Sequence, residues 1–168
     1  MAAATQSPDL LKQVWSLLAA VRDPEIPSLD IVEMGIVRAV GFKDGHVAVT
    51  VTPTYSGCPA NSAIQLEVRN ALDQAGLTDA EVLISHAEAW TTDWLTDTAR
   101  EKLRANGIAP PVGKAGGKRS LFAPEAVIAC PRCGASHSER ISEFGSTACK
   151  ALYRCLSCRE PFDYFKCI

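Results

Sequence analysis

The chain has 168 residues, 47% of them hydrophobic and 21% charged, with seven cysteines and a formal net charge of −2. That is the composition of a folded globular protein, not a disordered or fibrous one, and no apolar run reaches the roughly 18 residues of a membrane span. Residues 1–111 hold 8 Lys+Arg against 14 Asp+Glu and residues 120–168 hold 6 against 5, so neither part offers the basic face that nucleic-acid binding requires.

In chain order, Ser7-Pro8-Asp9 is a helix start: a hydroxyl cap, proline at the first helical position and an acid in the first turn. Leu10, Leu11, Val14, Leu17, Leu18 and Val21 continue it as one apolar stripe. The pattern predicts a helix that stops at Arg22 or Asp23, because Pro24 disfavours helical geometry in the residue before it. An acidic loop follows, then strands over 36–42 and 47–52 joined at Asp44-Gly45, a hairpin signal. A second helix carries Ile64, Val68, Leu72 and Ala75 on one face and ends at Gly76. A third strand over 81–89 and a third helix over 96–106 complete a small two-layer α/β sandwich, expected to occupy residues 1–111.

Residues 112–119, VGKAGGKR, read as a flexible linker. They imitate a phosphate-binding loop only superficially, since Val112 stands where the first glycine is needed and Arg119 takes the Ser/Thr place.

Residues 120–168 form a second, smaller domain, too short for a self-sufficient core. Cys130-Pro-Arg-Cys133 and Cys155-Leu-Ser-Cys158 supply the cross-link, a four-thiolate site in a zinc ribbon with short strands over 126–129, 139–144, 152–154 and 162–165. With every position filled by protein, the zinc is structural. Iron is the competing metal; the glycine that favours it follows the first turn as Gly134, whereas Arg159 follows the second. Cys149 and Cys167 are either small buried side chains or a second cluster.

Cys58 stands alone between Gly57 and Pro59, at a junction of strand and helix. A thiol at a helix N-terminus is a candidate nucleophile or metal ligand; a buried, inert thiol is the other reading. If the first two strands pair, Asp23, Glu25 and Asp30 come near Thr54 and Cys58, as a cation pocket or as a solvated loop. No base is evident beside the thiol: His46 lies in the distant turn, and His86 reaches it only from an adjacent strand. We expect no catalytic residues.

The strings DPEIPSLDIVEMGIV and TPTYSGCPA resemble the SufT-like iron-sulfur assembly domain. WTTDWLT, CPRCG, SEFGSTACKALYRC and EPFDYFKC resemble the PaaD family, accessory proteins encoded with the phenylacetyl-CoA epoxidase of aerobic phenylacetate degradation. The likeness covers nearly the whole chain. It implies a non-catalytic, cytoplasmic maturation factor for that epoxidase, delivering an iron-sulfur cluster or iron to its reductase or oxygenase subunits; a structural oxygenase subunit is the alternative. It also implies Asp23, Glu25, Thr54 and Cys58 as the iron or cluster site and Cys130, Cys133, Cys155 and Cys158 as zinc ligands. The recipient would meet ribbon aromatics such as Phe162, Tyr164 and Phe165, and two chains pairing as a homodimer is compatible with all of this.

Overall fold

The computed structural model describes residues 7–55, 57–115 and 127–168. The chain divides between Trp90 and Thr91 into two compact units. Among the described residues no helix is long and apolar enough to cross a membrane.

The first unit opens with α1, Pro8–Leu18, whose Ser7 hydroxyl accepts the Asp9 N–H at 3.1 Å and whose Val14 and Leu18 are buried. The helix ends before Arg22, earlier than Pro24 alone dictates, because a tertiary pairing takes the backbone. The Ile31 N–H donates to Val21 O and the Asp23 N–H to Leu29 O, and Arg22 bridges to Asp30. Residues 22–30 are thereby closed into a compact loop.

Strands β1, Val37–Lys43, and β2, His46–Val51, pair antiparallel with Val40 opposite Val49. Asp44 and Gly45 both take positive φ, 51° and 89°. That is the backbone of the tight hairpin turns whose twist matches paired strands. After α2, Ala60–Gln74, the chain turns at Gly76 (φ 78°), with the Leu77 N–H returning to Leu72 O. Strand β3, Glu81–Ile84, then runs parallel to β2. It is shorter than the expected 81–89 because β2 ends at Val51, so pairing stops once the Ser85 N–H has bonded Val51 O. The sheet order is β1-β2-β3. Val14, Leu18, Ile64, Val68 and Leu72 from the helices and Val47, Val49 and Val51 from β2 are all buried.

The second unit begins with a short turn at Thr92–Trp94 and α3, Asp97–Ala105, capped by the Thr96 hydroxyl accepting the Ala99 N–H. The two-residue β4, Ile108–Ala109, pairs parallel with β7, Pro161–Phe165. Strands β5, Ser138–Ser142, and β6, Lys150–Cys155, complete a sheet ordered β4-β7-β6-β5. The helix grouped by sequence with the first domain therefore has its contacts in this unit. Residues 127–129 form no strand, and 126 lies outside the described residues, as do 116–119 of the expected linker.

The turn between β5 and β6 explains the GST string. The Gly145 N–H donates to Lys150 O, while Asp163 accepts from the Ser146 hydroxyl and lies 3.8 Å from the ammonium of Lys150, which is buried. A Cβ on Gly145 would stand 2.5 Å from Asp163 Oδ1 and 3.3 Å from Lys150 Cβ. Gly145→Ala is accordingly expected to destabilise this unit by about 1–3 kcal/mol, seen as a lowered midpoint in thermal denaturation; an unchanged midpoint would show that the turn has room.

Candidate functional site

Two knuckles with matching local geometry build the cysteine centre. In the first, the Gly134 N–H donates to Cys130 O and the Cys130 N–H to Ala135 O. In the second, the Arg159 N–H donates to Cys155 O and the Cys155 N–H to Glu160 O. Each turn needs a left-handed residue after its second cysteine: Gly134 has φ 75° and Arg159 φ 67°. The glycine rule thus holds for backbone shape in both turns, although only one uses glycine. The Leu156 N–H donates to His137 O, tying the second knuckle to the chain ahead of β5.

The four sulfurs lie within 4.8 Å of one another, with Cys130 to Cys158 at 3.8 Å and Cys133 to Cys155 at 3.6 Å. A tetrahedral ion with ~2.3 Å metal–sulfur bonds separates its sulfurs by about 3.8 Å, which the Cys130–Cys158 and Cys133–Cys155 pairs match, so the quartet suits a tetrahedral ion such as zinc. Cys130 and Cys155 are buried, whereas Cys133 is exposed. His137 is no member of the quartet.

Electrostatics within the quartet point the same way. The Cys158 N–H, 3.4 Å from Cys155 Sγ, holds the Cys155 thiol down at about 6 against the effect of burial. For Cys158 the Glu160 N–H pulls downward, but burial and the thiols of Cys155, Cys133 and Cys130 outweigh it and raise the group to about 12. Four neighbouring sulfurs do not all ionise together; a bound dication takes the place of the protons they would otherwise share.

The loop acids are placed differently from the cysteines. Asp23 is buried, and its Oδ1 accepts the N–H groups of Glu25 and Ile26, both at 2.8 Å. Asp30 does the same for Val32 and Glu33, and Glu33 Oε1 accepts the Asp30 N–H in return. These carboxylates shape the turns of the loop, which solvated side chains would not do. The end of β2 does lie beside the start of β1, since the Thr52 N–H donates to Ile36 O at 2.8 Å.

Cys58 is half-buried, ahead of α2. Its N–H donates to Tyr55 O and its carbonyl accepts from the Asn61 N–H, while the Asn61 side-chain amide also reaches Tyr55 O. Pro59 caps α2 without a side-chain hydrogen bond. Among the described residues the ribbon quartet is the one group of three or more His, Cys, Asp or Glu donors within reach of a common ion. Asp23, Glu25 and Cys58 are not such a group. Nor do Cys149 and Cys167 join one: Cys149 Sγ lies 2.9 Å from the Thr147 hydroxyl, and Cys167 Sγ accepts from the buried Thr92 hydroxyl.

The ribbon aromatics expected to meet a recipient are interior. Phe162, Tyr164 and Phe165 are only 4%, 8% and 1% exposed; Phe162 and Tyr164 pack in a buried cluster with Ala109, Ile128, Cys130, Ala151 and Cys155. Among the described residues the exposed aromatic is instead Phe144, with the Lys166 ammonium 4.6 Å from its ring centre. Its exposure follows from its place beyond β5, the sheet edge, which local sequence did not reveal.

Residues 11–84 match the family described as "Iron-sulfur cluster assembly protein" and residues 114–166 that described as "PaaD zinc beta ribbon domain". A protein of Escherichia coli, named as a candidate subunit of the 1,2-phenylacetyl-CoA epoxidase, is 50% identical over 165 residues, 98% of each chain. The Fe-S protein maturation auxiliary factor YitW of Bacillus subtilis is 37% identical over 93 residues, 54% of this chain and 90% of that one. The crystal structure of a domain of unknown function, DUF59, from Bacillus anthracis has 26% identity and a TM-score of 0.52, covering 56% of this chain and 92% of its own.

Two substitutions test the local geometry. Asp23→Ala should cost about 1–2 kcal/mol of stability while Asp23→Asn, which keeps an acceptor oxygen, costs less; equal losses in chemical denaturation would deny the carboxylate its turn-forming role. Arg159→Gly should raise stability by about 1 kcal/mol by relieving a left-handed arginine, unless that side chain makes a compensating contact, which a lowered melting point would reveal.

Proposed function

This chain belongs to the PaaD family, and from that premise we propose that it is an accessory protein of a phenylacetyl-CoA epoxidase, assisting maturation of the complex. The observation that carries the reading is the near end-to-end relation to the Escherichia coli protein, combined with a first unit matching iron-sulfur assembly proteins. On this reading the protein is not itself a catalyst and works in the cytoplasm. Its partners are the reductase or oxygenase components of the epoxidase, and its cargo is an iron-sulfur cluster or iron.

The two kinds of cysteine divide the work. Cys130, Cys133, Cys155 and Cys158 hold a structural zinc, whose four protein ligands leave no position for cargo. Cys58, half-buried and outside the quartet, is the thiol available to cargo. Thr54 and the loop of Asp23 and Glu25 flank that role by shaping the approach to it. A cluster normally takes several thiolates, and one cysteine supplies one. The remaining ligands would come from the recipient, a second copy or small thiols, as suits a cargo that must leave.

Metal and sulfide content with an absorption spectrum, on anaerobically purified wild type and Cys58→Ser, tests this. Equal zinc in both with iron and sulfide in wild type alone supports cargo at Cys58. Iron and sulfide unchanged in Cys58→Ser would remove Cys58 from the cargo site.

The name of the Escherichia coli relative, which makes it a part of the epoxidase, favours a second reading, a structural subunit of the oxygenase. Fixed-stoichiometry co-purification with the oxygenase, and an epoxidase indifferent to Cys58→Ser, would select it. Epoxidase components that lack iron or cluster when made with Cys58→Ser in place of wild type would select maturation.

A further inference from the structure

Arg104 and Arg132 line one notch of about 460 Å³, with Ala105, Asn106, Gly107 and Pro131. The first arginine lies in the last turn of α3; the second sits between the ligands Cys130 and Cys133 of the first knuckle. The fold of the second unit brings them together, and the lining contains no carboxylate. Both are exposed, and neither has an acidic partner among the described residues.

Cations at the end of α3 complement its dipole, but neither guanidinium donates to a helix carbonyl among the described residues. Arg132 Nη2 lies 3.9 Å from where a Cβ on Gly107 would stand, over the end of α3. Yet the carbonyls there are already served: Lys102 O accepts from the Asn106 N–H and side-chain amide, Leu103 O from the Asn106 N–H, and Arg104 O from the Gly107 N–H. Two arginines therefore line one notch with no acid to pair among the described residues. An anion entering the notch would be attracted by both charges, within the screening of an exposed site.

The notch also discriminates between anions. It is formed at a helix C-terminus, whose dipole disfavours a concentrated dianion, and the Asn106 and Gly107 N–H groups that would cradle phosphate oxygens are engaged. Ala105 and Pro131 give too little apolar surface to hold a nucleobase or an acyl chain. A planar monoanion read by guanidinium forks fits best. We propose that this notch receives a side-chain carboxylate from an acidic segment of a partner protein, with the first knuckle as one wall of the docking site. The proposal stands apart from what Cys58 carries.

The test is amide NMR on the full-length, zinc-loaded chain. It is titrated separately with a blocked Asp/Glu hexapeptide and with inorganic phosphate at matched ionic strength. The peptide should shift amides at Arg104 to Gly107 and at Arg132 and Cys133. Each of Arg104→Ala and Arg132→Ala should weaken its binding about threefold, and the double variant about tenfold or more, with the affinity of wild type falling as salt rises. Retained zinc and a dispersed spectrum identify folded variants, and Arg104→Gln with Arg132→Gln replaces the alanine pair if that fails to fold. Peptide shifts elsewhere, or binding unchanged in the folded double variant, would overturn the proposal. So would phosphate moving the same amides at lower concentration than the peptide, or self-association abolished by the double variant, which would give the notch to a second copy.

Discussion

The second unit depends on the convergence of four thiols from two short turns. Its interior holds Ala109, Ile128, Ala151, Phe162 and Tyr164 beside Cys130 and Cys155, a small core for a sheet of four strands. Two of the metal ligands are thus themselves core residues, and binding the ion and excluding water are one event. Metal affinity in such a centre enters directly into folding free energy. The left-handed residues after each second cysteine are part of the same constraint. They turn the chain so that both thiolates of a knuckle face one point, and Arg159 adopts that backbone despite its Cβ.

The first unit solves a different problem, that of holding a polar loop against a sheet without a metal. Asp23, Asp30 and Glu33 spend their oxygens on backbone N–H groups, and the Trp90 indole N–H, at the far end of the unit, donates to Met34 O at 2.9 Å. Acids so engaged are fixed in direction and partly neutralised by the dipoles they accept. An acidic motif near a cysteine resembles a ligand set in sequence, but here its geometry first accounts for the shape of the loop.

Much of this was legible from local pattern. The Ser7 cap, the Asp44-Gly45 turn, the buried stripe Ile64-Val68-Leu72 and the spacing of the ribbon cysteines each depend on residues close in sequence, and each is found, although Ala75, expected on that stripe, is the exposed C-cap of α2. What local pattern missed are pairings across long separations. Val21 with Ile31 shortens α1, and Ile108 with Asp163 turns a two-residue strand into the neighbour of β7. A buried cluster drawing on Ala109 and Ile128 takes in Phe162 and Tyr164, and Phe165 is buried with them, although their aromatic character alone had suggested a binding surface. The notch of Arg104 and Arg132 escaped for the same reason: its walls are a helix end and a knuckle that only tertiary structure joins.

The contrast between the two sulfur environments bears on transfer. Cys155 is wholly buried, receives an N–H and has three neighbouring sulfurs, so an ion held by all four would leave only by breaking several bonds, although Cys133 is exposed. Cys58 is half-buried, and its backbone, not its sulfur, is tied down by Tyr55 and Asn61. The thiol is positioned without being coordinated by its own chain. On the proposed reading of Cys58 as the cargo thiol, a group bound to it would be retained by few bonds, and a recipient offering several ligands would compete for it without first unfolding the donor. On that proposal stability and release impose opposite requirements on a cysteine, and placing them in separate units would let each sulfur set meet one of them.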